Sequence, residues 1–242
     1  SSVIELASDK KLNDEFTAEI GLTFLSADAF IDTPLDKKSS IQIAARTSIN
    51  GAFITPTYLQ YYDRAFQDTE VTTNPTSLSN GEEDFRFSDV SFRWLYQLSE
   101  KDILRLNYFS ISNELGFTAE ELNNGTIETK SSKLSQNSLG MGVYYRRNWS
   151  ENFTSQLQLY HSNYKLTATN EILNTSDYLE QENNLYENSL KLTTKWVLDS
   201  HFQLNSGYEF ISTKIKNAEA NEEITNEDRL ANTINVNNLF AS

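Results

Sequence analysis

The stretch R-R-N-W-S-E-N-F-T-S-Q-L-Q-L-Y-H-S-N-Y, Arg146–Tyr164, decides the fold. It reads as two strands joined by a tight polar turn at Ser150–Asn152. Tyr145, Trp149, Phe153, Leu157 and Leu159 fall on one face; Arg146, Asn148, Thr154, Gln156 and Gln158 fall on the other. Alternation with a period of two marks a strand whose faces meet different surroundings. A soluble sandwich would press the apolar face onto a second sheet. The question is what this chain presses it onto.

The same alternation extends in both directions. Val90, Phe92, Trp94, Tyr96 and Leu98 oppose Asp89, Ser91, Arg93 and Gln97. Leu104, Leu106 and Tyr108 oppose Arg105 and Asn107, and Leu139, Met141, Val143 and Tyr145 oppose Gly140, Gly142, Tyr144 and Arg146. Leu190, Leu192, Trp196 and Leu198 oppose Ser189, Lys191, Thr193 and Lys195; Phe202, Leu204, Tyr208 and Phe210 oppose Gln203, Asn205, Gly207 and Glu209. Toward the N-terminus, Phe16, Ala18, Ile20, Leu22 and Phe24 alternate with Thr17, Glu19, Gly21 and Thr23, and Ile41, Ile43 and Ala45 with Gln42 and Arg46. Between Ser26 and Leu35 the pattern weakens to Ala27, Ala29 and Ile31, and Pro34 sits near the segment's end, where a missing N–H matters least. Leu230, Ile234 and Val236 close the chain as a last alternating set.

The connections alternate too. Short turns fall at Asp36–Lys38, Ser99–Asp102, Ser150–Asn152 and Asp199–His201, and long polar segments at Gly51–Asp84, Phe117–Lys133, Thr169–Glu187 and Lys216–Asp228. Short turns at one end and long loops at the other are how outer-membrane barrels are built. Trp94, Trp149 and Trp196 all lie close before a short turn, and Phe153 and Phe202 leave two of those turns. In a membrane these five residues form an aromatic girdle at one interface. Arg147, on the apolar parity beside Trp149, then lies among headgroups. The expectation is an all-β, antiparallel up-and-down transmembrane β-barrel segment of about ten strands, with hydrocarbon against its apolar face. The T-P-T-Y-L-Q-Y-Y-D-R-A-F segment of the first long loop predicts a short amphipathic helix, with Thr55 as N-cap and Pro56 at the first helical position.

Composition narrows the function. The chain has 242 residues, 20 basic and 34 acidic side chains, and a net charge of −14. That balance argues against a nucleic-acid partner, which needs clustered Lys and Arg. There is no cysteine, so disulfide scaffolds and thiolate metal sites are excluded. Mean hydropathy is −0.53, and no stretch approaches the roughly 20 apolar residues of a transmembrane helix. The two histidines, His161 and His201, are far apart in this layout, so no cofactor, metal site or enzymatic activity is expected. Glu120, Glu121, Glu222, Glu223, Glu227 and Asp228 lack the spacing of a calcium loop and read as solvated loop charge.

Three segments carry a family resemblance. S-V-I-E-L-A-S-D-K (Ser2–Lys10) resembles the end of the plug domain of TonB-dependent outer-membrane receptors, with Ser2 where a glycine is usual. D-T-P-L-D-K-K-S-S-I-Q-I-A-A-R-T-S-I (Asp32–Ile49) resembles their second strand, periplasmic turn and third strand. F-R-F-S-D-V-S-F-R-W-L-Y-Q-L-S-E-K-D-I-L-R-L-N-Y (Phe85–Tyr108) resembles the hairpin that follows. The resemblance implies that residues 1–10 end a plug linker and residues 11–242 form part of the barrel, about ten strands of a family total of 22. It also implies energised uptake of a scarce nutrient (a siderophore, cofactor or glycan) across the outer membrane of a Gram-negative bacterium. Implied partners are outer-membrane lipid, the plug and TonB complex of the intact receptor, the transported ligand, and a surface lipoprotein in some members.

Two readings stand beside it: a complete ten-stranded outer-membrane pore or rim enzyme, and a soluble antiparallel β binding module. Under the receptor reading, Arg46, Arg93, Arg105, Arg146, Lys191, Lys195, Glu19 and Glu209 face the lumen, where they meet the plug, water or one another. Tyr58, Tyr61, Tyr62 and Phe66 of the loop helix are the candidates for ligand or lid contact.

Overall fold

A computed structural model of the chain describes residues 12–50, 56–57, 77–78, 83–123, 126–173, 175–199, 201–222 and 227–241. The N-terminal linker strand expected at 1–10 and the four aromatic candidates of the loop helix lie outside the described residues. Of that helix, Pro56 and Thr57 are described, in helical conformation and exposed.

The fold is all-β: one antiparallel, up-and-down sheet. Its strands are β1 (Thr17–Leu22), β2 (Ser26–Asp36), β3 (Ser39–Ser48), β4 (Ser77–Leu78), β5 (Glu83–Ser99), β6 (Asp102–Asn123), β7 (Thr126–Asn148), β8 (Phe153–Ile172), β9 (Tyr178–Val197), β10 (Gln203–Asn221) and β11 (Glu227–Ala241). They pair in chain order, except that the two-residue β4 pairs with Glu120–Glu121 of β6, continuing the line of β5. Among the described residues the substantial contacts of every strand are with its neighbours in this sheet, and none of these strands forms a second layer against either face. Among the described strands, β1 and β11 each have a partner on one side only. The register slips near Pro34, where the ring cannot donate to the ladder, and again between Tyr96 and Ser99 and between Asn217 and Ala218.

Register turns the alternation into two surfaces. One row across the sheet reads Ile41, Trp94, Leu106, Val143, Leu159, Leu190 and Phe210. The row below it reads Tyr96, Leu104, Tyr145, Leu157, Leu192 and Tyr208. The opposite face carries Asp32, Gln42, Arg93, Asn107, Gly142, Tyr160 and Ser189 in one row.

Burial inverts the order found in a soluble domain. Among the described residues the buried hydrophobic side chains are Leu95 and Tyr144, whereas Asp32, Arg93, Ser40, Asn184 and Ser189 are all buried. Meanwhile Ile43, Val90, Met141, Val143, Leu159 and Leu192 are exposed, Val143 and Leu159 at 38% each. Side chains on the polar face cover one another and those on the apolar face diverge. That asymmetry is the one expected of a sheet curved toward its polar side.

The strands overrun the expected lengths. β6 has 22 residues and β7 has 23, whereas about 9–11 suffice to cross hydrocarbon. Consequently most of Phe117–Lys133, Thr169–Glu187 and Lys216–Asp228, expected as loops, is paired strand. These extensions lack an apolar parity, which hides them from a reading of periodicity. On the apolar side they carry polar and ionic pairs instead: Ser112 Oγ donates to Asn137 Oδ1 at 2.9 Å, Lys133 meets Glu114 at 3.1 Å, and Lys165 meets Glu182 at 2.6 Å.

The aliphatic belt therefore has two borders. On β7 its lower border is Arg147 and its upper border Asn137, ten residues apart. At about 3.3 Å per residue and a tilt near 40°, that span is roughly 25 Å tall, the height of an outer-membrane apolar band.

β11 departs from the expected facing. Ile234 pairs with Thr213 and Val236 with Ile211, so both lie on the polar face with Glu209, while Asn235 and Asn237 take the apolar side. A strand's facing is fixed by its partner's register, and a shift of one residue reverses it.

Candidate functional site

The register places all eight charged candidates on the polar face, and most lie against side chains of adjacent strands. Arg93 of β5 and Asp32 of β2, both buried, approach to 3.6 Å, and Gln42 Nε2 donates to the same Asp32 oxygen at 3.2 Å. This triad spans β2, β3 and β5. Arg105 lies over the ring of Tyr144, 4.8 Å from its centroid. Lys191 pairs with Glu209 across β9 and β10 at 3.2 Å. Arg146 stands opposite Ile103 and Gln156, Lys195 opposite Thr154 and Asn205, and Glu19 opposite Phe30. Opposite charges on neighbouring strands stabilise a sheet by about 0.2–1 kcal/mol per pair when accessible to water. A buried pair such as Arg93–Asp32 chiefly makes loss of either partner costly.

The aromatic residues collect at the turn end. The Trp196 ring meets Phe153 edge-on, with centroids 6.2 Å apart. The Arg147 guanidinium lies 4.5 Å from the centroid of the Trp149 ring and bonds Asp102 at 3.2 Å. Asp102 also accepts from Ser99 Oγ at 2.5 Å and Tyr145 Oη at 2.6 Å. These hydrogen bonds, Ser99's first and Tyr145's next, hold the Asp102 carboxyl below its usual range, with Arg147 adding to the effect. Trp94 sits higher than the other two tryptophans, in the row of Leu106 and Val143, but its indole N–H reaches Ser39 Oγ at 2.7 Å, toward the turns. Phe202 is exposed in the β9–β10 turn.

His161 is on the apolar side, with Nδ1 2.8 Å from Asn188 Oδ1, and His201 lies in the β9–β10 turn 4.0 Å from Asp199. Among the described residues no three His, Asp or Glu side chains gather as metal ligands.

Periodicity overlooked one place on the polar face. Phe85 and Phe87 of β5 and Phe109 and Ile111 of β6 share the parity of Asp89 and Arg93, so they bring a cluster of apolar surface to the polar side. Phe109 is 45% exposed and Ile111 36%. With Thr23, Leu25, Arg46 and Asn113 they line a cavity of about 530 Å³ at the end of the sheet away from the short turns. Arg46 Nε and Nη2 both bond Asp89 Oδ2 at 2.8 Å, and the guanidinium lies 5.3 Å from the centroid of Phe87. Phe85 and Phe87 are 5.8 Å apart and tilted by 40°. Phe109 owes its position to Gly140 across β6–β7, where a Cβ would stand 2.2 Å from the Phe109 ring. Sequence offered a signal in the run Phe85-Arg86-Phe87, whose phenylalanines stand on the wrong parity for the apolar belt.

No family model and no curated protein matches the chain. Among solved structures, the chain is similar to the ferric-catecholate import receptor Fiu of E. coli K12 in its closed form, with 9% identity and a TM-score of 0.49. That alignment covers 95% of this chain and 41% of the receptor. It is also similar to BauA, the ferric preacinetobactin receptor of Acinetobacter baumannii, with 10% identity, a TM-score of 0.48, and coverage of 92% and 39%. The chain thus spans about two fifths of the length of these receptors.

Proposed function

We propose that this chain forms part of the barrel wall of a TonB-dependent outer-membrane receptor that takes up a scarce nutrient in a Gram-negative bacterium. The observation that carries the reading is the inverted burial of a single sheet: Asp32, Arg93, Asn184 and Ser189 covered, Ile43, Met141, Val143 and Leu159 uncovered. Water on both sides would leave that aliphatic belt unsatisfied, whereas hydrocarbon on one side and a hydrated or plugged interior on the other suit both faces. The belt height, the ionic pairs above it and the Arg147–Trp149 stack below it agree with that arrangement. The resemblance of Asp32–Ile49 and Phe85–Tyr108 to the receptor hairpins supplies the family. On this reading the wall is passive, and the plug and TonB complex supply ligand release and energy.

Two measurements test it. The chain should partition with outer membranes and require detergent for extraction; recovery in the aqueous fraction refutes the membrane setting. In a host carrying the chain within its full reading frame, growth on limiting iron chelate, cobalamin or glycan should fail for one of the three when that gene is deleted. It should fail equally when TonB is removed. Unchanged growth on all three refutes the transport role.

A further inference from the structure

We propose that the cavity between β3, β5 and β6 binds an aromatic carboxylate of at least naphthalene size. The inference rests on reading the polar face as a solvent-accessible interior, and goes beyond it by naming the ligand class. A volume of about 530 Å³ lies within the roughly 300–1,000 Å³ of small-molecule sites. Phe87, Phe109 and Ile111 put clustered apolar surface on this face, so a ring system entering there covers surface that water leaves exposed. Phenylalanine rings also favour aromatic over aliphatic guests through offset and edge contacts.

Arg46 supplies the polar selectivity. Its Nε and Nη2 are both spent on Asp89 Oδ2, and its guanidinium is held beside the Phe87 ring, while among the described residues no partner takes the Nη1 hydrogens. A guanidinium fixed in this way accepts a carboxylate by geometry. Asp89 keeps the site near electroneutrality, so a small inorganic anion that cannot use the rings gains little. An aromatic ammonium is repelled by the guanidinium and finds only Asp89 Oδ1 not taken by Arg46, on a carboxylate whose charge Arg46 already balances.

The test is a titration of the detergent-solubilised chain with 2-naphthoate, followed by the probe's own fluorescence. Comparators are 2-naphthalenemethanol, 2-naphthylmethylamine and decahydronaphthalene-2-carboxylate. Naphthoate should bind at least about fivefold more tightly than the amine and the saturated acid. R46Q should weaken naphthoate about tenfold and naphthalenemethanol less than twofold, and F87L should weaken both. R86Q, on the opposite parity of β5, reports non-specific partitioning into detergent and should change nothing. F109L serves as the second aromatic variant, and circular dichroism of each variant confirms its strand content. Equal affinity for naphthoate and the amine, or no change in R46Q with native circular dichroism, overturns the proposal. Binding by this chain that disappears in the full-length protein also overturns it, because the cavity then belongs to internal packing. The two readings fail separately: a membrane-embedded chain that ignores naphthoate refutes the ligand class alone, and a water-soluble chain refutes the membrane setting whatever it binds.

Discussion

Leu159→Arg is the most informative perturbation of the apolar face. Leu159 lies on β8 between Val143 and Leu190, six residues above Phe153, near mid-height of the belt. An arginine at the midplane of a barrel's lipid face costs about 2–4 kcal/mol, which at 1.4 kcal/mol per decade is a shift of roughly 30- to 700-fold in the folding equilibrium. Ser162→Arg is the internal control. Ser162 is three residues along the same strand but on the polar face, opposite Glu187 of β9, which already accepts from Tyr160 and Thr213. There an arginine meets a carboxylate in a wet setting and should change stability by less than about 1 kcal/mol. The assay is urea unfolding of the chain in phospholipid vesicles, followed by tryptophan fluorescence. The variants should differ by at least about 2 kcal/mol, Leu159→Arg being the weaker. Equal losses, or a larger loss for Ser162→Arg, would refute the facing deduced from the register.

Further outcomes follow from the polar face and the turns. Arg93→Met should destabilise by about 3–5 kcal/mol, because Asp32 is left buried beside Gln42 without its cation; adding Asp32→Leu should recover much of that loss in the same unfolding assay. Asp102 has a folded-state pKa below its unfolded value, so its contribution is present above the ordinary carboxylate range and lost as the pH falls through the folded value. Wild type should therefore exceed Asp102→Asn in stability near pH 7, with the gap closing as the pH falls below the ordinary carboxylate range; a gap constant with pH would contradict the Ser99 and Tyr145 hydrogen bonds. Gly140→Ala should displace the Phe109 ring and weaken naphthoate binding while leaving unfolding nearly unchanged, since that ring is half exposed and free to move.

Much of the fold was legible because a strand with one apolar and one polar face advertises itself. From Val90 to Leu98, from Leu139 to Tyr145 and from Leu190 to Leu198, period-two patterning gives strand, facing and neighbouring turn together. The same logic fails wherever both faces are polar. Thr126–Gln136 carries no apolar parity, yet it pairs residue for residue with β6, because backbone bonds and polar cross-strand contacts suffice there. β11 illustrates a second limit, since Ile234 and Val236 look like belt residues until the pairing with β10 puts them on the other side. The charged candidates were legible as a shared parity, but their partners were not. Arg93 meets Asp32 across an intervening strand, a proximity that only curvature and register create. The cavity was missed because its signal, Phe85 and Phe87 on the polar parity, lies just before the belt residues that begin at Val90, and the Phe109 and Ile111 that complete it come from the next strand.

Site-directed spin labelling tests the central claim most directly, and the absence of native cysteine makes each label unique. Single cysteines at Met141, Val143 and Leu159, and at Ser138, Gly142 and Ser162, would carry nitroxides in phospholipid vesicles. Relaxation of the first three should be enhanced by oxygen, which concentrates in hydrocarbon, and that of the second three by a water-soluble nickel chelate. A pattern in which the aliphatic positions respond to neither reagent would mean that protein covers them, and the membrane-barrel account would be wrong.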